Sequence, residues 1–373
     1  MSSDEIDEIS DVNISWLPFP FELFCSKGFF ILKGRDEMRK RFVKGKKFMA
    51  AAVAVLSVTL LFSACGQPSG SQTDSTNQIY KIGITQYADH PSLDNCRQGF
   101  IQGLENQGFV QGKNIDIEFK AAQGDNAMAT QIAQNFASTK DLVCGIATPS
   151  AQSLYAACLE KNIPVIFNAI SDPVEAKLAV SDSQAMKGIS GISDRLPVED
   201  QLKLIRQILP EAKKIGIIYS NNEANSVSTL RTYQELAPQY GFEIIERGIA
   251  KQAEVPQAAD YLLSQVDCIS NMTDNTVVSA LGVVLEKANQ KNIPVFGSEE
   301  EQVKNGCIAS AGIDYIALGE RAGEMAAKVL NGTDISTLPY ETLQESKLTV
   351  NLAAAESLGI TIPDEVKAAA QAV

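Results

Sequence analysis

The chain has few of the residues that carry metal chemistry and acid–base catalysis. His90 is the only histidine and Trp16 the only tryptophan among 373 residues. One histidine excludes a histidine-rich metal site and leaves His90 as the only possible base of a histidine-dependent triad. We interpret His90, which stands just before Pro91, as a polar loop residue. The sequence therefore predicts no catalytic residue, no metal site and no cofactor.

Signatures of nucleotide and nucleic-acid binding are also absent from the sequence. Neither G-x-x-x-x-G-K-[ST] nor G-x-G-x-x-G occurs, so nucleotide phosphates lack their usual glycine-rich loop. The formal net charge is −13, whereas a nucleic-acid partner calls for a basic surface. We therefore expect a small ligand and no nucleic acid.

Cysteine is scarce and lacks the paired spacing of a disulfide framework. Cys25 and Cys65 precede the predicted fold. The other five are expected to be small buried apolar residues: Cys96, Cys144, Cys158, Cys268 and Cys307.

The N-terminal region contains an export pattern. Basic residues over 38–47 precede an apolar segment over 48–62, and Ser63-Ala64-Cys65-Gly66 follows. This order resembles a bacterial lipoprotein signal in which Cys65 is acylated, although Phe62 stands where leucine is usual. The alternative is a transmembrane helix, for which the segment is short. We expect residues 1–37 to be a gene-model extension ahead of Met38, 38–64 the signal and 65–79 a flexible linker. The mature protein would then be extracytoplasmic and lipid-anchored to the cell membrane.

From residue 80 onward, short apolar runs alternate with segments of helical periodicity, and the pattern occurs twice. The first half predicts strands over 80–85, 115–119, 142–147 and 165–169, and helices over 93–107, 127–138 and 151–161. The second half predicts strands over 215–219, 243–247, 268–271 and 295–297, and helices over 226–240, 255–265 and 276–290. Strands that alternate with helices indicate a parallel sheet covered on both faces.

Two pairs of matching segments indicate that the halves are duplicates. Lys81-Ile82-Gly83-Ile84 matches Lys214-Ile215-Gly216-Ile217, and Lys161-Asn162-Ile163-Pro164-Val165 matches Lys291-Asn292-Ile293-Pro294-Val295. The predicted fold class is therefore α/β, with two similar doubly wound parallel-sheet lobes joined by a hinge. Lobe 1 would contain 80–192 and about 313–340, and lobe 2 would contain 193–312 and about 341–373. Crossings between the lobes are expected near 188–194, 308–314 and 338–352.

Ligands of parallel α/β sheets bind beyond the carboxyl ends of the strands. Polar loops follow the predicted strands at 86–91, 148–152 and 171–174, and at 221–226, 273–276 and 298–301. Thr148-Pro149-Ser150 has the composition of a helix start, whose free N–H groups attract a carboxylate. Four acids fall at strand ends or crossings and could pair with an ammonium group: Asp172, Asp274, Glu299 and Asp314.

These motifs resemble a known family over about 80–350. The most specific are Ile84-Thr85-Gln86 with His90-Pro91, Ala122-Gln123-Gly124-Asp125 and Ala147-Thr148-Pro149-Ser150-Ala151-Gln152. The match is extended by Ser171-Asp172-Pro173-Val174, Gly191-Ile192-Ser193-Asp194 and Thr273-Asp274-Asn275-Thr276. They are similar to substrate-binding proteins of ATP-binding-cassette (ABC) importers of the tryptophan/tyrosine type. The resemblance implies a type I periplasmic-binding fold, no catalysis, and a partner permease and ATPase. By this likeness the cleft-lining residues are Gln86, Thr148, Ser150, Asp172, Asn225, Ser226, Asp274, Asn275 and Glu299.

Our hypothesis from the sequence is a monomeric receptor that captures a free aromatic or large apolar amino acid. The ligand carboxylate would meet Ser150 and Asn225–Ser226, and its ammonium would pair with Asp172 or Asp274. A sugar or nucleoside receptor of the same fold is an alternative, but it calls for more stacking aromatics. A ligand-sensing regulator is another, but it calls for a helix-turn-helix ahead of residue 80. An enzyme is the third, but no nucleophile–base pair can be recognised.

Overall fold

The computed structural model describes residues 78–182, 184–343 and 346–373. The predicted extension, the signal segment and Cys65 lie outside the described residues.

The strands, in chain order, are β1 (Tyr80–Gln86), β2 (Ile115–Ala121), β3 (Leu142–Ile146), β4 (Val165–Asn168), β5 (Ala179–Ser181), β6 (Gln184–Ala185), β7 (Ile189–Ser193), β8 (Lys214–Ser220), β9 (Glu243–Ile249), β10 (Cys268–Ser270), β11 (Val295–Phe296), β12 (Ala309–Gly312), β13 (Glu341–Thr342), β14 (Lys347–Val350) and β15 (Gln371–Ala372). The α-helices are α1 (Pro91–Asn106), α2 (Asn126–Thr139), α3 (Thr148–Cys158), α4 (Val198–Ile208), α5 (Ala224–Leu236), α6 (Val255–Leu262), α7 (Asn275–Val278), α8 (Leu281–Gln290), α9 (Glu300–Lys304), α10 (Tyr315–Leu330), α11 (Leu352–Ser357) and α12 (Asp364–Ala369). None of these helices is long and apolar enough to cross a membrane.

The first lobe is built on a six-stranded sheet in the order β13-β7-β4-β3-β1-β2. All of its strand pairs are parallel. Its central strands read as continuous apolar runs because both faces are covered, and β3 is buried along its whole length. A single hydrophobic core surrounds this sheet, with Phe100, Phe136 and Phe167 among its fully buried side chains.

The second lobe contains a four-stranded parallel sheet in the order β11-β10-β8-β9. Beside it, β12 pairs with β14 antiparallel and β14 pairs with β15 parallel. Gly297 N donates to Ala309 O, which joins the two sheets at the β11–β12 edge. Separate apolar clusters lie in this lobe, one containing Phe296 and the other Val284.

The chain passes between the lobes three times. It leaves the first sheet after β7, returns to the first lobe with α10 after β12, and leaves again between β13 and β14. The predicted fold class of two parallel-sheet lobes is confirmed.

The helices differ from the sequence prediction in two ways. The single helix predicted over 276–290 is divided into α7 and α8, with Ala280 at φ −115° and ψ 14° between them. The Ser279 hydroxyl donates to Asn275 O at this break, a local bond that competes with helix continuation. Helices α4, α9, α10 and α11 have no counterpart among the predicted elements.

Helices α1 and α10 approach each other closely through glycines. A Cβ at Gly99 would lie 2.1 Å from Ile316 O, and a Cβ at Gly319 would lie 2.2 Å from Cys96 O. Glycine is therefore the residue that permits this backbone contact. The pairing places the first residues of both helices side by side at the carboxyl edge of the first sheet.

Candidate functional site

A narrow cavity of about 20 Å³ lies where the carboxyl edges of the two sheets face each other. The first lobe contributes residues from β-strand ends and from the starts of α1, α3 and α10; the second contributes residues around α5, α7 and α9. The lining residues are His90, Ser92, Leu93, Ala147, Thr148, Ala169, Ser171, Asp194, Asn225, Thr273, Asn275, Val278, Gln302 and Tyr315. Of the nine predicted site residues, Thr148, Asn225 and Asn275 line this cavity.

The start of α3 forms one wall of the cavity. Thr148 Oγ1 and Ser150 Oγ are buried, and neither has a hydrogen-bond partner among the described residues. Helix α3 has 11 residues, so the N–H groups of its first turn combine with these hydroxyls as a donor set for an anion. Both residues were predicted from the Thr-Pro-Ser pattern.

Two of the six non-glycine residues with positive φ in the described part of the chain lie at this wall. Ala147 has φ 72° and Ala169 has φ 59°, in the left-handed region that non-glycine residues rarely adopt. They directly precede α3 and follow β4, and both line the cavity. Strained backbone of this kind is concentrated at ligand sites, because the surrounding structure holds it in place.

Asp194 supplies a carboxylate to the cavity. Its oxygens accept hydrogen bonds from Ser171 Oγ at 3.0 Å and Tyr315 Oη at 2.6 Å. Burial raises its pKa, because an ionised carboxylate loses its hydration, and the two hydroxyl bonds oppose that rise. Asp194 was not among the predicted site residues, although it follows β7 in the Gly191-Ile192-Ser193-Asp194 motif.

The second-lobe wall is organised by the buried carboxylate of Glu223, a residue not predicted from sequence. Glu223 accepts hydrogen bonds from Asn275 Nδ2 at 2.6 Å and from the Thr276 hydroxyl at 2.7 Å. Asn225 Nδ2 donates to Thr273 O at 3.1 Å, and Asn225 Oδ1 is buried without a partner among the described residues. The oriented amide of Asn225 therefore presents a free acceptor to the cavity.

Three of the four predicted acids serve as helix N-caps: Asp274, Glu299 and Asp314. Asp274 accepts from Val277 N at 2.9 Å, and its other oxygen accepts from the Ser226 hydroxyl at 2.6 Å. Burial, followed by the Glu223 charge, raises the pKa of Asp274. Glu299 accepts from Glu301 N at 2.7 Å and Gln302 N at 2.8 Å, and burial raises its pKa to about 7. A direct ligand contact for Ser226, Asp274 or Glu299 stays a prediction.

Gln86 and Asp172 lie beside the cavity. Gln86 Nε2 donates to Ala88 O at 2.9 Å and to Asp94 at 3.1 Å, while its Oε1 is buried without a partner in the described structure. Asp172 accepts from Val174 N and Glu175 N, and it also accepts from the Ser228 hydroxyl of the second lobe. Their predicted contact with ligand remains untested.

The two lobes are held together around the cavity by polar contacts. Glu175 of the first lobe pairs with Arg231 of the second at 3.3 Å, and Asn95 Nδ2 donates to Glu301 at 3.2 Å. A larger and more open groove of about 640 Å³ that includes Asp172 lies alongside. Residues of both lobes line each of them, and the smaller cavity is the better candidate because it is more enclosed and lies among the strand ends of both sheets. Within the described residues, no cluster of three or more His, Cys, Asp and Glu side chains could hold a metal ion.

Comparisons with known proteins identify the family. Residues 81–373 match the family model described as ABC transporter substrate binding protein. A Tyrosine-binding protein of Clostridioides difficile strain R20291 is 41% identical over 318 residues, covering 83% of this chain and 91% of the relative.

Two solved structures are similar over 79% of the chain. An ABC domain from Streptococcus pneumonia in complex with L-Trp superposes with a TM-score of 0.77 at 32% identity, and all of that chain is covered. A ligand-free, open structure of a Clostridium difficile substrate-binding protein with adhesive properties gives 0.61 at 39% identity, with 99% of it covered. The open structure has the higher sequence identity to this chain but the lower TM-score. The difference in TM-score therefore indicates that the lobes of this protein are arranged more like those of the L-Trp complex. The chain belongs to the ABC transporter substrate-binding protein family and has its type I periplasmic-binding fold, so it is a binding protein and not an enzyme.

Proposed function

We propose that this protein captures a free aromatic α-amino acid in the cavity between its lobes and delivers it to the permease of an ABC importer. The relatives named for tyrosine binding and for an L-Trp complex support this ligand class. The observation that carries the proposal is the presence, in one enclosed cavity, of an unpartnered helix-start hydroxyl at Thr148 and a buried carboxylate at Asp194. These two groups match the two charges of an amino acid.

The ligand carboxylate is assigned to the start of α3. Thr148 lines the cavity, and its buried hydroxyl has no partner among the described residues. A buried polar group without a partner costs free energy that a bound carboxylate would recover. The Ser150 hydroxyl and the free N–H groups of the first turn strengthen the same site.

The ligand ammonium is assigned to Asp194 and to Asn225 Oδ1. An ammonium group has three donors and no acceptor, so it is complementary to both oxygens. Asp194 belongs to the first lobe and Asn225 to the second, so a single ammonium would bond to both and favour closure. Asp194 is preferred to Asp172 and Asp274, the partners suggested by sequence, because it lines the cavity and they do not.

The remaining lining favours an apolar side chain over a sugar. Leu93, Ala147, Ala169 and Val278 surround the cavity with aliphatic surface, and Tyr315 adds one aromatic ring. A sugar or nucleoside site would use more than one stacking aromatic and more free hydroxyl partners.

Isothermal titration of the purified protein against the protein amino acids, ribose, glucose and inosine tests this proposal. We expect one-to-one binding of an aromatic amino acid by a monomer and no heat with the sugars or the nucleoside. Binding of a sugar or nucleoside with no response to any amino acid would overturn the ligand class.

The membrane anchor is a separate part of the proposal. Members of this family work outside the cytoplasm, and Cys65 within Ser63-Ala64-Cys65-Gly66 supports attachment through an acyl chain. Cells fed a labelled fatty acid should label the wild-type protein, and the Cys65→Ser variant should stay unlabelled. Equal labelling of both variants would contradict acylation at Cys65.

A further inference from the structure

The imidazole of His90 has one nitrogen without a role in the fold. His90 is 9% exposed and lines the cavity at the start of α1. Its Nε2 lies 3.4 Å from Asn275 Oδ1, across the gap between the lobes. Its Nδ1 is buried and has no hydrogen-bond partner among the described residues.

The second lobe fixes which nitrogen of His90 carries the proton. The Glu223 carboxylate can only accept, so Asn275 Nδ2, at 2.6 Å from it, must donate. Asn275 therefore presents its carbonyl Oδ1 to His90, and His90 Nε2 must carry the hydrogen. Burial lowers the pKa of His90 and favours the neutral ring, in which Nδ1 is an acceptor.

We propose that His90 Nδ1 accepts a hydrogen bond from a donor on the ligand side chain, the phenol O–H of tyrosine or the indole N–H of tryptophan, and so discriminates against phenylalanine. This proposal rests on the proposed function, since it concerns the side-chain end of the same cavity. Thr148 is assigned to the ligand carboxylate and Asp194 to the ligand ammonium. His90 is therefore available to the side chain of the ligand. A ligand without a donor would leave Nδ1 buried and unpaired, and such sites reject analogues that lack the matching group.

Isothermal titration with tyrosine, tryptophan and phenylalanine tests the discrimination. We expect tyrosine or tryptophan to bind at least about tenfold more tightly than phenylalanine. In His90→Phe, the preference should fall to about twofold or less. A purely structural role of His90 would instead weaken all three ligands by the same factor and keep the preference, which would overturn the proposal.

Nitrogen NMR of the wild-type protein provides a test that needs no substitution. His90 is the only histidine, so tag-free protein labelled with ¹⁵N-histidine gives a single imidazole. We expect a protonated Nε2, and an Nδ1 resonance that moves on addition of tyrosine or tryptophan but much less with phenylalanine. Equal movement with all three, or equal affinities for them, would overturn the role of His90 while leaving amino-acid capture intact. Absence of binding by all three would refute the proposed function itself.

Discussion

Asp172 of the first lobe accepts a hydrogen bond from the hydroxyl of Ser228 on α5 of the second lobe. The same carboxylate accepts from Val174 N at 3.1 Å and Glu175 N at 3.0 Å, which holds it rigidly at the edge of its own lobe. A bond between two lobes exists only while they are closed. The hydrogen bond between Asp172 and Ser228 therefore stabilises the closed state by itself and does not require Asp172 to contact the ligand.

Ser228→Ala should weaken the binding of every ligand by a similar factor of about 3 to 10, because it removes one charge-assisted bond from the closed state. Isothermal titration with several aromatic amino acids measures the factor, and small-angle X-ray scattering should show a more open ligand-free ensemble. Ser264→Ala, on an exposed hydroxyl bonded only to Tyr261 O, is the matched control and should bind normally.

The double variant Asp172→Asn with Ser228→Ala separates closure from ligand contact. If Asp172 acts through Ser228, Asp172→Asn should add little to the loss caused by Ser228→Ala. A much larger loss in Asp172→Asn, confined to ligands that carry an ammonium, would instead support the direct contact suggested by the sequence.

Thr148→Val should reduce affinity for an aromatic amino acid about tenfold, since the isosteric side chain lacks the hydroxyl assigned to the ligand carboxylate. The amide of the same amino acid, which has no carboxylate, should bind wild type and variant with similar affinity. Thr130→Val, on an exposed face of α2, is the control. An equal loss for the acid and its amide would show that Thr148 does not contact the carboxylate.

Asp194→Asn should reduce affinity for an amino acid about 10- to 100-fold, because the ligand ammonium loses its charged partner. The deaminated analogue of the ligand should not suffer this loss. If Asp194→Asn weakened both ligands alike, its role would be to position Ser171 and Tyr315, which donate to it.

The fold was predictable from sequence because its signals are local. Residues adjacent in the sequence determine apolar strands such as β3 and the start of α3 at Thr148-Pro149. The acids that line the cavity could not be identified from local sequence signals. Asp274 and Glu299 fall at the expected loops but cap α7 and α9, whereas Asp194 and Glu223 are functional candidates only because tertiary packing buries them. Which carboxylate faces the ligand depends on contacts between segments far apart in the chain, as with Tyr315 and Asp194.

The pH dependence of stability should reflect buried carboxyls such as Glu299. Its folded pKa of about 7 lies above the ordinary glutamate value, so its contribution to stability is full at acidic pH and is lost as pH rises through about 7. The raised pKa of Asp274 acts in the same direction. These two carboxyls should therefore make the ligand-free protein less stable near about pH 8 than near about pH 5, whereas His90, whose pKa burial lowers, acts in the opposite direction.

Glu299→Gln should reduce this loss of stability between the two pH values, because an amide does not ionise, although its one oxygen can accept from only one of the two first-turn N–H groups. Calorimetric scans of wild type, Glu299→Gln and the exposed control Glu356→Gln provide the measurement. Identical pH profiles for all three proteins would contradict the assignment.

Two glycine-to-alanine substitutions should differ in their effect on the free energy of unfolding. Gly319 lies in the contact between α1 and α10, whereas Gly282 lies outside it. Gly319→Ala places a Cβ 2.2 Å from the backbone oxygen of Cys96, which cannot move without shifting α1, so it should lower the free energy of unfolding by about 1–3 kcal/mol. Gly282→Ala, on α8 with no atom within 4 Å of the added Cβ, should be neutral or stabilise by up to about 1 kcal/mol. Urea unfolding of the two variants measures both effects. Because α1 and α10 begin at the cavity residues His90 and Tyr315, Gly319→Ala should also weaken ligand binding, whereas Gly282→Ala should not. A Gly319→Ala protein with wild-type stability and affinity would show that the two helices can separate without disturbing the site.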